Sequence, residues 1–186
     1  TMGALATAVQ SGKALYAGIS KYPPEKAAIA YKMMREAGVP CLISQYKYNM
    51  FDREVEEATL DLATENGSGF IAFSPLAQGM LTDKYLNGIL ENSRAARATG
   101  FLKAEQVTQD KIEKAGKLNL IAQDRGQSLA QMALAWILND RRVTSVIVGA
   151  SSVRQLEDNL STLKNLTFSE EEFHYISKIL DGDSLI

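Results

Sequence analysis

Residues that carry chemistry unaided are scarce in this chain. Its 186 residues include one cysteine and one histidine, so no disulfide can form within the chain and no Cys/His cluster is there to ligate a metal. Cys41 opens the apolar run Cys41-Leu42-Ile43, where a thiol behaves as a small buried hydrophobe rather than as a nucleophile. His174 falls in a helical pattern far in sequence from any strand end, which makes it a surface or packing residue. Charge of one sign is missing too. Twenty basic against 22 acidic side chains leave a net charge of -2, with no basic stripe to draw a nucleic acid or a membrane surface. No apolar stretch approaches the roughly 20 residues that span a bilayer, and no signal-peptide pattern opens the chain. The expected setting is the cytoplasm and the expected partner a small molecule. No G-x-G-x-x-G follows a strand pattern, no P-loop is present, and no serine-histidine pair stands near a base.

What is there is a repeated unit in an ordinary globular composition, 46% hydrophobic and 23% charged. Short β-forming runs occur at Leu15–Ile19, Cys41–Gln45, Phe70–Phe73 and Thr144–Val148, and each is followed by a helical pattern. Pro24 suits the first turn of the first helix, which Gly38-Val39-Pro40 ends. Asp52 is expected to cap a second helix from about Arg53 to Glu65, closed by Asn66-Gly67. After a long connection, helices are expected from Thr108, with Ile112, Ala115 and Leu118 on one face, and from Ser128. There Ser128 and Gln131 form a capping box ahead of the stripe Leu129, Met132, Ala133, Trp136 and Ile137. A last helix runs from Ser169 to about Leu180, opened by a second capping box. Strand alternating with helix four times implies parallel strands joined by crossovers. Residues Thr1 to Gln10 read as one more helix, with Met2, Leu5 and Val9 on one face and Gly12 as the stop. That start suggests a chain beginning inside a larger α/β architecture.

Parallel α/β folds meet their ligands at the carboxyl ends of strands. Those ends here are Ser20-Lys21, Gln45-Tyr46, Phe73-Ser74-Pro75 and Gly149-Ala150-Ser151-Ser152. Pro75 has no N–H to continue a ladder, so the third strand stops before it. The following Ala77, Gly79 and Thr82 leave backbone N–H groups open to approach, and the cation Lys84 comes next, which together suggest a wall for an anionic ligand. Ser152 and Gln155 open a helix whose N-terminus, with Arg154 nearby, reads either as an anion site or as a plain capped helix. Lys84 and Arg94, taken singly, read as solvated charges. Gln45 ends an apolar strand with a polar amide that must find a partner when buried, and a ligand amide would serve.

The strings "GKALYAGISKYPPEKA", "SQYKYNMFDR", "FIAFSPLAQGMLTDKYLNGI" with Ser93-Arg94, and "VTSVIVGASSVRQLEDN" resemble, in order and spacing, the C-terminal half of an aldo-keto reductase. More narrowly they resemble bacterial glyceraldehyde-phosphate and methylglyoxal reductases related to potassium-channel β subunits. The resemblance implies an α/β fold, a (β/α)8 TIM barrel of which residues 1–186 supply strands five to eight and the closing helices. It also implies NADPH as cofactor. Phe73 would stack on the nicotinamide, Gln45 would hold its carboxamide, and Ser20 would sit beside it. Ser74, Leu76 and Gly79, with Pro75 ending the strand, would line the pyrophosphate, and Lys84 with Arg94 would reach over it. Ser151 and Gln155, in the loop that Gly149 begins, would take the 2′-phosphate, with Asp158 and Asn159 at the adenine.

Two departures qualify what the resemblance implies. Some family members carry arginine where this chain has the neutral Gln155, which bears on NADPH against NADH. The family's catalytic tyrosine, lysine, aspartate and histidine belong to the first half of the barrel, and none of them is in this chain. Tyr16, Tyr46, Tyr48 and Tyr85 stand outside the catalytic motif, so no catalytic residue is assigned. The implied activity is therefore that of a parent protein: NADPH-dependent reduction of a small carbonyl substrate, dicarbonyl or phosphorylated. The alternative is a non-catalytic NADP(H)-binding module, such as a channel β-subunit-like redox sensor. A homo-oligomer stays open.

Overall fold

The computed structural model describes residues 1–86 and 104–182. Strands β1 (Ala17–Ser20), β2 (Cys41–Lys47), β3 (Gly69–Phe73) and β4 (Val143–Ile147) pair in chain order as one parallel sheet. Helix α1 (Met2–Gln10) precedes β1, α2 (Pro24–Glu36) joins β1 to β2, and α3 (Thr59–Glu65) joins β2 to β3. Helices α4 (Gln109–Asp124) and α5 (Leu129–Asn139) lie between β3 and β4, and α6 (Val153–Ser161) and α7 (Glu170–Asp181) follow. No helix among the described residues is long and apolar enough to cross a membrane.

Local chemistry sets most of these boundaries. Pro24 stands in the first turn of α2, where its missing N–H costs nothing. The Ser128 and Ser169 hydroxyls accept from the backbone N–H of Gln131 and Glu172, whose side chains return the bond, completing both capping boxes. Thr108 and Ser152 cap α4 and α6 through the N–H of Lys111 and Gln155. Helix α5 is buried nearly all round, which explains why apolar residues beyond its expected stripe, Ala130, Leu134 and Ala135, are buried too.

Two expectations need correction. β1 does not begin at Leu15: Leu15 and Tyr16 are 83% and 69% exposed. Pairing starts where Ala17 meets Cys41, the first residue of β2, so earlier residues have no neighbouring strand. Asp52 caps no helix. Its carboxylate takes the Lys47 ammonium at 2.8 Å and its backbone bridges to Asn49. The chain then forms a separate 3-10 turn, Glu54–Glu56, and α3 starts only at Thr59, after Ala58 with no side-chain cap. Burial of Val55, the Arg53–Glu56 pair and the hydrogen bond from Tyr48 to Glu56 hold that turn.

The two faces of the sheet differ. On one, Phe70 stacks on Tyr46 with ring centroids 5.6 Å apart and meets Tyr48 edge-on. Leu60, Leu118, Met132, Ile137 and Ile176 close that core without solvent contact. Cys41 is buried, as expected, in a second cluster with Ile19, Ala27, Tyr31 and Met34, beside Ser68 and the hydroxyl chain Tyr31–Ser44–Ser68. The other face carries Gly18, Ser20, Ile43, Gln45, Lys47, Ile71, Phe73 and Ile147, matched in register across the strands, and none of these is buried. Gly18 is required on that face, because a Cβ there would lie 2.6 Å from the Ile43 carbonyl oxygen.

Candidate functional site

The carboxyl ends of the strands gather the polar and strained residues. All four non-glycine residues with left-handed backbone among those described lie in loops that follow strands: Lys21 (φ 60°) after β1, and Ser74 (53°), Ala77 (46°) and Gln78 (58°) after β3. Such conformations are costly for these residue types and concentrate where structure serves a site. The loops are held from outside. The Gln45 carbonyl accepts both the Ser20 hydroxyl, at 2.9 Å, and the Lys21 N–H, at 3.1 Å. Buried Asn49 donates to the Ser74 carbonyl at 3.0 Å and accepts from the Phe51 N–H, pinning the β3 loop to the β2 loop. Farther along, the Thr82 hydroxyl donates to the Gly79 carbonyl and accepts from the Lys84 N–H. Gly79 itself has φ 103°, a conformation glycine alone adopts readily.

A cleft of about 870 Å³ opens between this β3 loop, the α4–α5 connection and the start of α6. It is lined by Leu76, Lys84, Ser151, Gln155, Asp158 and Asn159 together with Thr82, Ser128 and Arg154. Six residues singled out in sequence, from two segments about seventy residues apart, thus line one cleft. Asn159 is 5% exposed, and its side-chain nitrogen is buried with no hydrogen-bond partner among the described residues. A buried amide donor left unpaired is costly, and this one belongs to a residue that lines the cleft. Gln155 turns its amide oxygen onto the N–H and hydroxyl of Ser151, at 2.8 and 3.0 Å. Asp158 lines the cleft, but its carboxylate is engaged: Gln131 donates to it at 2.6 Å and the Ser128 hydroxyl at 3.2 Å. It holds α6 against the cap of α5 rather than presenting a free acceptor.

The remaining residues singled out in sequence lie apart from this cleft. Ser20, Gln45 and Phe73 stand on the open sheet face. Ser74, buried Pro75 and Gly79 belong to the β3 loop. Gly149, exposed after β4, has open space where a Cβ would stand. Arg94 lies outside the described residues. His174 is exposed on α7, its ring 6.0 Å from Tyr175. Sequence reasoning missed Asn49, whose role depends on a carbonyl 25 residues away; its one signal is an amide side chain among apolar neighbours. The tyrosines behave as structural groups. Burial, ahead of other causes, pushes the Tyr46 hydroxyl up to about 12, and it donates to the Tyr22 carbonyl at 2.8 Å. Burial and then the neighbouring Glu56 raise Tyr48 as well. Tyr85 is buried, and Tyr16 lies outside the sheet.

Known proteins carry the same pattern. The family model described as "Aldo/keto reductase family" matches residues 1–181. Two relatives named L-glyceraldehyde 3-phosphate reductase, from Escherichia coli O157:H7 and Escherichia coli strain K12, are each 50% identical over 98% of this chain. The chain spans about half the length of the curated relatives it matches, 54% in both cases. A crystal structure of a thermostable aldo-keto reductase with the inhibitor epalrestat superposes with a TM-score of 0.67 at 23% identity, over 96% of this chain and 53% of that one. That likeness is one of fold.

Proposed function

Because the chain belongs to the aldo/keto reductase family, we propose that residues 1–186 form the C-terminal half of one barrel domain and carry most of the NADPH site of a carbonyl reductase. The uncovered sheet face supports the half-barrel reading. So do exposed apolar side chains next to the two edge strands, Leu15 and Tyr16 just before β1 and Val153, Leu156 and Leu160 on the helix after β4. Burying these would favour a complementary half.

The observation that carries the cofactor reading is the cleft shared by Leu76, Lys84, Ser151, Gln155 and Asn159, whose amide nitrogen has no hydrogen-bond partner among the described residues. These residues fit a dinucleotide phosphate. Asn159 would donate to the adenine, the Ser151 hydroxyl and the Gln155 amide nitrogen to the 2′-phosphate, and Lys84 with Arg94 to the pyrophosphate along the loop of Ser74, Leu76 and Gly79. On the open sheet face, Gln45 has a side-chain amide with no hydrogen bond among the described residues and would hold the carboxamide, while Phe73 offers its ring to the nicotinamide beside Ser20. When bound, the cofactor supplies a hydride to the substrate carbonyl. The loops after β1 and β3 orient the site through Asn49 and the Gln45 carbonyl, and Asp158 keeps α6 in place. The proton donor belongs, on this reading, to the other half. Small aldehydes, including the phosphorylated one in the relatives' name, are the substrates that suit it.

The test is NADPH oxidation by the full-length parent with glyceraldehyde 3-phosphate or methylglyoxal, set against the 186-residue chain alone. The parent should turn over and the chain should not, since a positioned general acid contributes about 10² to 10⁴-fold. Turnover by the chain alone, or none by the parent, would overturn the proposal.

A further inference from the structure

The loop after β1 turns on a lysine in a left-handed conformation, φ 60°, which glycine and asparagine adopt far more readily. Its backbone is fixed independently of its side chain, because the Lys21 N–H donates to the Gln45 carbonyl at 3.1 Å. From there the side chain crosses β2 and sets its ammonium 5.7 Å from the centre of the Phe73 ring on β3. A second cation on the same face, Lys47, is paired in register with Phe73, but Asp52 neutralises it at 2.8 Å. Lys21 has no carboxylate partner among the described residues. The mouth of the sheet beside Phe73 thus holds an uncompensated positive charge on a strained backbone.

We propose that Lys21 is a specificity-determining residue that binds the phosphate group of a phosphorylated aldehyde. The inference rests on the reading above, that Phe73 marks the reacting end of the cofactor. An exposed ammonium on a phenylalanine face is weakly held, so it gives up the ring readily for a phosphate, with which it forms charge-assisted hydrogen bonds. A lysine suits this task as a compact charge with three rotatable donors. The cation selects anionic over neutral aldehydes of the same carbon skeleton.

The experiment compares wild type, Lys21→Met and Lys21→Arg in the full-length parent, with glyceraldehyde 3-phosphate and glyceraldehyde as paired substrates. Binding of glycerol 3-phosphate to the NADP⁺ complex is measured in parallel by calorimetry. Lys21→Met should lower the ratio of kcat/KM for the phosphorylated over the neutral aldehyde by about tenfold or more, chiefly through KM, and weaken glycerol 3-phosphate to a similar degree. Lys21→Arg should recover most of both. An unchanged ratio in a parent that reduces both aldehydes would overturn this inference alone. Weakened NADPH binding with the ratio unchanged would assign Lys21 to the cofactor and also overturn it. Failure of the wild-type parent to reduce either aldehyde would overturn the reductase reading and this inference with it.

Discussion

Replacing Ser151 and Gln155 together by alanine in the full-length parent should weaken NADPH binding and leave NADH nearly untouched. The Gln155 amide oxygen is held on the N–H and hydroxyl of Ser151, at 2.8 and 3.0 Å, which leaves the amide nitrogen as the end available to an anion. The double substitution removes that nitrogen and the Ser151 hydroxyl but keeps the Ser151 backbone N–H. It also spares Ser152, whose hydroxyl caps α6 through the Gln155 N–H at 3.2 Å. A hydrogen bond to a charged group contributes about 1.5 to 3 kcal/mol. Ser151 is exposed and Gln155 half-buried, so the lower figure is the appropriate floor, about 1.5 kcal/mol and therefore at least about tenfold in Kd. Fluorescence titration with both cofactors reads the effect, with circular dichroism as a check on helix content. Parallel losses for NADPH and NADH would mean general damage. No loss for either would reduce residues 149–159 to a capped helix.

Arg125→Met should destabilise the parent by about 3 kcal/mol in urea unfolding, the scale for removing one partner of a buried ion pair. The Arg125 side chain is 4% exposed, pairs with Glu172 at 2.6 Å, donates to the Thr167 carbonyl and lies 3.8 Å from the Phe168 ring centre. Burial alone would raise the Glu172 carboxyl, but the Ser169 N–H and Arg125 hold it below its usual value. Its contribution is therefore present above the unfolded pKa, about 4.3, and is lost as pH falls through the lower folded value, so the gap between variant and wild type should narrow on acidification. Gly18→Ala should cost about 1 to 3 kcal/mol and speed amide exchange in β1, because its Cβ would meet the Ile43 carbonyl oxygen at 2.6 Å; unchanged stability would mean that β1 shifts freely.

What could be read from sequence was whatever local chemistry decides. Ser128 with Gln131 and Ser169 with Glu172 announce their helices because both partners of each cap lie within one turn. The four strands follow from apolar runs between Gly, Pro and Asn signals. The Asp52 cap failed because Lys47 and Asn49 compete for the same group through a turn that no periodicity marks. The cleft lined by Leu76, Lys84, Ser151, Gln155 and Asn159 was reachable through family resemblance, not through spacing. The engagement of Asp158 with Ser128 and Gln131, the reach of Asn49 to Ser74, and the left-handed turn at Lys21 depend on contacts between distant segments. A residue's type does not reveal such contacts.

Hydrogen–deuterium exchange on the full-length parent, with and without NADPH, tests most directly whether these residues hold the cofactor. The account predicts slowed exchange in residues 73–86 and 149–161 and at the carboxyl ends of β1 and β2, with α7 unchanged. Unaltered exchange in both segments at saturating NADPH, or protection confined to the other half of the parent, would contradict it.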